Sequence, residues 1–155
     1  MLVFSNIFYL KELKMKAKLL GFVLVGMMSN VLTAATPNTI DTIEAQYNQC
    51  MDNPENSTAS FYQCIDEGYK AADSELNKVY NEIKKAHSKN KDEDDKEILK
   101  RLVASERAWI AYRDTNCSLG GIQMLNGSGE GLMVSGCLVT ETIARVRALK
   151  ALFEQ

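Results

Sequence analysis

The sequence predicts an all-α domain, a small bundle of about three to four helices stapled by two disulfides. Three observations predict it. Apolar and small residues recur at helical spacing along most of the chain. The two prolines, Pro37 and Pro54, fall outside the long periodic stretches, where a proline would remove a backbone donor. The four cysteines, Cys50, Cys64, Cys117 and Cys137, fall at the expected ends of helices.

Ahead of the domain, residues 1–35 read as an export signal. Lys16 and Lys18 form a basic start, Leu19 to Met28 is an apolar and glycine run of ten, and Thr33-Ala34-Ala35 offers small residues for cleavage after Ala35. Met15 is an alternative start that would make this signal compact. The run is too short to span a bilayer. The first cysteine, Cys50, lies far beyond it, so no stable membrane anchor is expected. The domain is then residues 36–155, with 14 basic and 19 acidic residues, a net charge of −5. This balance disfavours nucleic acid and favours a cationic partner. An even cysteine count in an exported chain argues for disulfides and a location outside the bacterial cytoplasm, periplasmic or secreted.

A short amphipathic helix is expected over Ile40 to Met51. From Phe61, the residues Ile65, Tyr69, Ala72, Leu76, Val79 and Ile83 advance in steps of four and three, one face of a long helix. Ser60 and Gln63 form a candidate capping box, and Asp73, Glu75, Lys78, Asn81, Glu82 and Lys85 fall on the polar face. Ser88 to Lys96 reads as an exposed connection. Asp92 to Asp95 suit the positive end of the next helix, which carries Ile98, Leu99, Leu102, Val103, Trp109 and Ile110 and should run to about Asn116. The glycines from Gly120 to Gly131 are expected to break the helix, leaving a loop presented without internal rigidity. A last helix is expected over Val134 to Phe153, with Leu138, Thr142, Val146, Leu149 and Phe153 on one face. Four cysteines allow three pairings. Local pairing, Cys50 with Cys64 and Cys117 with Cys137, would clamp each helix corner and contribute about 3 kcal/mol per bridge.

The chain offers little for catalysis. Its one histidine, His87, lies in a polar, lysine-rich stretch that reads as exposed, no Cys-x-x-Cys occurs, and no nucleophile–base pair stands out. The expectation is therefore no enzyme, no metal and no cofactor. Two strings remain. In Trp109-x-x-Tyr112-Arg113-Asp114-x-x-Cys117, an arginine beside aromatics could anchor a partner. The competing and favoured reading puts Trp109 and Tyr112 in the core and pairs Arg113 with a carboxylate of a neighbouring helix. In Asp73-x-x-Leu76-Asn77-x-x-Tyr80, polar residues at spacings of four and three read as mutually satisfied groups near a helix interface. The glycine loop resembles a phosphate cradle only weakly, since it lacks a Lys-Ser/Thr ending and follows no strand.

The order Cys50, Cys64, Asp73-x-x-Leu76-Asn77-x-x-Tyr80, Trp109-x-x-Tyr112-Arg113-Asp114-x-x-Cys117, Gly127-Ser128, Cys137 and Thr142-x-x-Arg145-x-x-x-Leu149 resembles the LprI-like lysozyme-inhibitor domain over residues 50–152. The resemblance implies a lysozyme-type cationic protein as partner, and Glu130, Arg113 and Asp114 are the candidate contacts. Two other readings compete: a non-inhibitory structural or interaction module of the envelope, and a binder of peptidoglycan fragments through the Trp109–Arg113 surface. The sequence assigns no oligomeric state.

Overall fold

The computed structural model describes residues 39–89 and 92–153. The expected export signal and its alternative start at Met15 lie outside these residues. Four α-helices follow in order: α1 (Thr39–Met51), α2 (Thr58–His87), α3 (Glu93–Gly120) and α4 (Glu130–Phe153), with a 3-10 turn, η1 (Gly121–Met124), between the last two. Among the described residues there is no strand.

The all-α reading holds, and the corrections concern helix ends. α2 starts three residues before the expected Phe61. Its cap is Ser57 rather than Ser60: the Ser57 hydroxyl accepts from the Ser60 amide. Gln63 instead donates along the helix to Glu67, at 2.8 Å. At α3 the acidic start is confirmed, because Asp92 caps the helix by accepting from the Asp95 amide at 2.8 Å. α3 continues past Asn116 to Gly120, and α4 begins at Glu130 rather than Val134. The break is present but shorter than expected, from Gly121 to Gly129, and two glycines of this region, Gly121 and Gly131, are close packing contacts. A methyl on Gly121 would meet the Val134 side chain at 2.6 Å, and one on Gly131 would meet the Tyr62 hydroxyl at 2.9 Å.

The core lies along α2 and α4, the most extensive helix pair, with α1 against α2 and α3 against α4. Ile65, Ala72, Leu76, Val79 and Ile83 of α2 are buried as their spacing predicts, opposite Val139, Ile143, Val146 and Leu149 of α4. Each fully buried aliphatic side chain contributes about 1.5–3 kcal/mol. Two polar residues are less exposed than their sequence setting suggests. Glu75, placed on the polar face by its spacing, is buried; Lys150 Nζ of α4 lies 2.9 Å from Oε1 and Lys78 Nζ 3.4 Å from Oε2. His87 is not exposed; its Nδ1 is 2.7 Å from Asp95 Oδ1, closing the corner between α2 and α3.

Both local disulfides are present, Cys50–Cys64 and Cys117–Cys137, with Cα–Cα distances of 5.7 and 5.4 Å. The first joins the end of α1 to α2, and the second joins the last turn of α3 to α4. Both bridges stand at the same end of the bundle, since the first turns of α2 and α4 meet there through Tyr62 and Gly131. The opposite end holds the corner between α2 and α3 and the end of α4, where the His87 and Phe153 rings meet edge to face.

Candidate functional site

The disulfide-clamped end carries a tip made of η1 and its flanks. Leu119, Ile122, Met124, Leu125 and Met133 are large, apolar and exposed there, from 43% for Met133 to 66% for Leu119. Turn hydrogen bonds hold the backbone beneath this cluster. The Leu125 amide donates to Ile122 O at 3.2 Å, the Gly127 amide to Met124 O at 2.7 Å, and the Glu130 amide to Gly127 O at 3.2 Å. Asn126 takes the left-handed conformation at φ 63°, which asparagine tolerates better than most residues. Its amide donates to Glu130 Oε2 at 2.9 Å. The stretch expected to be internally loose is therefore held by several turn hydrogen bonds, and Glu130, expected as a partner contact, is half-buried and ties α4 to the tip. Leu119, Ile122 and Leu125 share an open concavity of about 370 Å³ with Thr115, Ser118 and Glu130.

Behind the tip, the tryptophan string is arranged differently from the expected core cluster. Trp109 is half-buried against the core, and two guanidinium groups lie over its ring, Arg113 at 4.9 Å and Arg145 at 5.6 Å. Arg145 also donates to Glu106 Oε2 through Nε at 3.0 Å and Nη2 at 2.9 Å, and to Ser105 Oγ at 2.8 Å. Arg113 is buried and pairs with Asp114 of its own helix, with Nη2 2.8 Å from Oδ1, not with a neighbouring helix. Tyr112 is 54% exposed, not core. At about 100° per residue, Arg113 and Cys117 turn to one side of Trp109 while Tyr112 turns to the other, away from α4. The arginine–aromatic stack the sequence suggested is present, but it braces α3 against α4 rather than standing free. Arg145 as its second half is the residue that reasoning on the Trp109 string missed; its place in the Thr142-x-x-Arg145 string was the available signal.

The Asp73 string divides as well. Leu76 is buried, while Asn77 Nδ2 donates to Asp73 O at 2.8 Å and to Asp73 Oδ2 at 2.9 Å on the exposed side of α2. These groups satisfy each other, but on a solvated surface rather than at an interface. The ammonium of Lys84 lies 5.2 Å from the centre of the Tyr80 ring. No reactive pair forms. Among the described residues, no group of three or more His, Cys, Asp or Glu side chains could hold a metal ion.

Charge is unevenly divided. Residues 36–69 and 114–144 contain no lysine, arginine or histidine, and nine carboxylates: Asp41, Glu44, Asp52, Glu55, Asp66, Glu67, Asp114, Glu130 and Glu141. These segments supply α1, the first turns of α2, the end of α3, the tip and the first half of α4. All 14 basic residues of the domain fall between Lys70 and Arg113 or between Arg145 and Lys150. The carboxylates nearest the N-terminus are used structurally. Arg147 of α4 donates to Glu44 Oε2 at 2.6 Å and to Asp41 Oδ1 at 2.8 Å. The hydrogen bond from Arg147 holds the Glu44 carboxyl below the usual carboxylate range, against a smaller opposing effect of burial. The same two partners push the Arg147 pKa up.

The sequence pattern of the lysozyme inhibitor LprI family matches residues 50–149, which include all four cysteines, the tryptophan string and the tip. The chain belongs to the LprI family. It is 41% identical over 101 residues to the uncharacterized protein R02472 of Rhizobium meliloti (strain 1021), covering 59% of this chain and 70% of that one. It is 30% identical over 95 residues to the uncharacterized protein YecT of Escherichia coli (strain K12), covering 56% of this chain and 59% of that one. No solved structure matches. Among the described residues, no helix of this LprI domain is long and apolar enough to cross a membrane. Its two disulfides fit the oxidising compartments outside the cytoplasm.

Proposed function

We propose that this LprI-family domain is an exported, non-catalytic binding protein that protects the cell wall by capturing a cationic lysozyme. Residues 1–35 serve as its export signal, and the domain of residues 36–155 works in the periplasm or after secretion. The observation that carries this reading is the base-free, disulfide-clamped end of a domain with net charge −5. A surface of one sign raises the rate of encounter with an oppositely charged protein and suppresses neutral competitors. Of the three contacts expected from sequence, Glu130 is half-exposed at that end and supplies negative potential there, whereas Asp114 is exposed behind it and paired with Arg113. Arg113 is buried and acts by holding Asp114 in place.

The test is lysis of bacterial cell walls by a c-type lysozyme, followed by turbidity, with and without the protein. Inhibition that saturates near one inhibitor per enzyme supports the reading, as does binding that weakens steeply with added salt. Lysis at an unchanged rate, together with no binding at low ionic strength, would leave the non-inhibitory envelope module ahead. The peptidoglycan-fragment reading has no comparable support. Trp109 has two guanidinium groups, those of Arg113 and Arg145, over its ring and packs on the core, so its ring is already engaged within the protein.

A further inference from the structure

The tip differs from the acidic surface around it in one respect. Residues 115–129 contain no charged side chain, and Cys117 is closed in a disulfide. The most exposed large apolar side chains of this uncharged stretch are Leu119, Ile122 and Leu125, which share one concavity bordered by Glu130. Carboxylates begin at its edges, with Asp114 on α3 and Glu130 on α4. The molecule thus presents an apolar tip of uncharged residues bordered by carboxylates. The cleft of the proposed cationic lysozyme would present the complementary pattern: two catalytic carboxylates at the bottom, beneath a positive exterior. An anionic loop would be repelled from such a cleft, and a neutral point would not be. The bordering carboxylates, an acidic collar, would meet the positive surface outside.

We infer that the Leu119–Ile122–Leu125 tip is the surface that enters the partner's carboxylate-lined cleft, and that the acidic collar steers and seats it without entering. This rests on the proposed lysozyme reading and specifies how that reading would work. The tip is prepared for the task in two ways. Its backbone is hydrogen-bonded into one conformation before any partner arrives, which lowers the ordering cost of binding. The Cys117–Cys137 bridge fixes its base to α4.

The experiment measures binding to hen egg-white lysozyme at moderate salt, using the full domain. Ile122→Glu is the deciding variant, because it places a carboxylate at the tip. If the tip enters the cleft, like-charge repulsion weakens binding at least tenfold. If the tip only approaches the cationic exterior, the added negative charge leaves binding unchanged or strengthens it, and the inference is overturned. The triple variant Leu119→Ser, Ile122→Ser, Leu125→Ser should likewise lose tenfold or more. Leu152→Ser, an equally exposed leucine at the opposite end, should lose nothing. Because the substituted side chains are all exposed, melting temperatures should stay close to that of the native protein. Chitotriose, which fills the cleft, should compete with the native domain. If the native domain does not bind lysozyme at all, the functional reading itself fails. If it binds and the tip variants bind equally well, only the tip assignment fails.

Discussion

The two ends of the bundle are held by different forces. At the tip end the helices are joined covalently, by Cys50–Cys64 and Cys117–Cys137, and by backbone hydrogen bonds around η1. At the far end helices are joined by charged and polar side chains, His87 with Asp95 and Glu75 with Lys150, while Asp92 caps the start of α3. The difference follows from composition. A surface without a basic residue cannot close its own ion pairs, and a surface that keeps five large apolar side chains in solvent has fewer of them for a core. Disulfides stabilise such a surface without altering its charge. The far end, rich in lysine, is under no such restriction. Between the two, the ladder Glu106–Arg145–Trp109–Arg113–Asp114 connects α3 to α4 across the middle.

That ladder should be the most sensitive point. Glu106→Leu leaves Arg145, mostly buried, without its carboxylate. Removing one partner of a buried pair costs about 3–5 kcal/mol. Denaturant unfolding should show that loss, and adding Arg145→Met should recover much of it, because the uncompensated charge is then gone. A single variant as stable as the native protein would mean that the two ends do not depend on the ladder.

The disulfides come next. Cys117→Ser with Cys137→Ser should cost about 3 kcal/mol, as should Cys50→Ser with Cys64→Ser, since the loops they close are of similar length. The two losses separate in function. The first pair should also weaken lysozyme binding by loosening the base of the tip, while the second should affect stability alone. Equal effects on binding would mean that the tip does not depend on its own bridge. At the far end, His87→Ala removes the hydrogen bond to Asp95 and should cost about 1–2 kcal/mol. Lysozyme binding should not change, because the site is at the opposite end.

Most of this architecture was legible in the sequence. The α2 face, the two pairings and the acidic start of α3 follow from spacing, from the position of cysteines at helix ends and from helix-terminus electrostatics. What was not legible depends on packing between elements distant in sequence. Glycines 121 and 131 look like helix breakers until Val134 and Tyr62 are placed against them. Glu75 looks solvated until Lys150 of α4 reaches it. Tyr112 looks like core until α4 is found to cover the side of α3 that Arg113 and Cys117 face. The candidate site was half legible. The glycine-rich region stands out in the sequence, but by its carboxylate Glu130. Its chemical signature is the uncharged run of residues 115–129 with leucine and isoleucine inside it, which a charge profile of the sequence would reveal.

The smallest effect concerns acid, and it compares one clasp that joins helices with one that does not. Glu44 and Arg147 are 103 residues apart and hold α1 to α4. Glu97 and Arg101 lie one turn apart on the surface of α3. Hydrogen bonds from the basic partners hold both carboxyls below their ordinary range, from Arg147 in one case and from Arg101 and then Lys100 in the other. A depressed carboxylate stabilises the fold fully above its unfolded pKa, and this contribution is lost as pH falls through the folded value. Both contributions are therefore fully present above about pH 4.3 and are lost only in the acid range below it. Glu44 is partly exposed, so its contribution is a few tenths of a kcal/mol. Glu44→Gln should flatten the acid limb of the stability profile slightly and free the start of α1 to exchange amide protons faster. Glu97→Gln should leave amide exchange in α1 untouched. If the two variants have the same effect on α1, the Arg147 clasp does not hold that helix, and burial of Ile40 together with the Cys50–Cys64 bridge suffices.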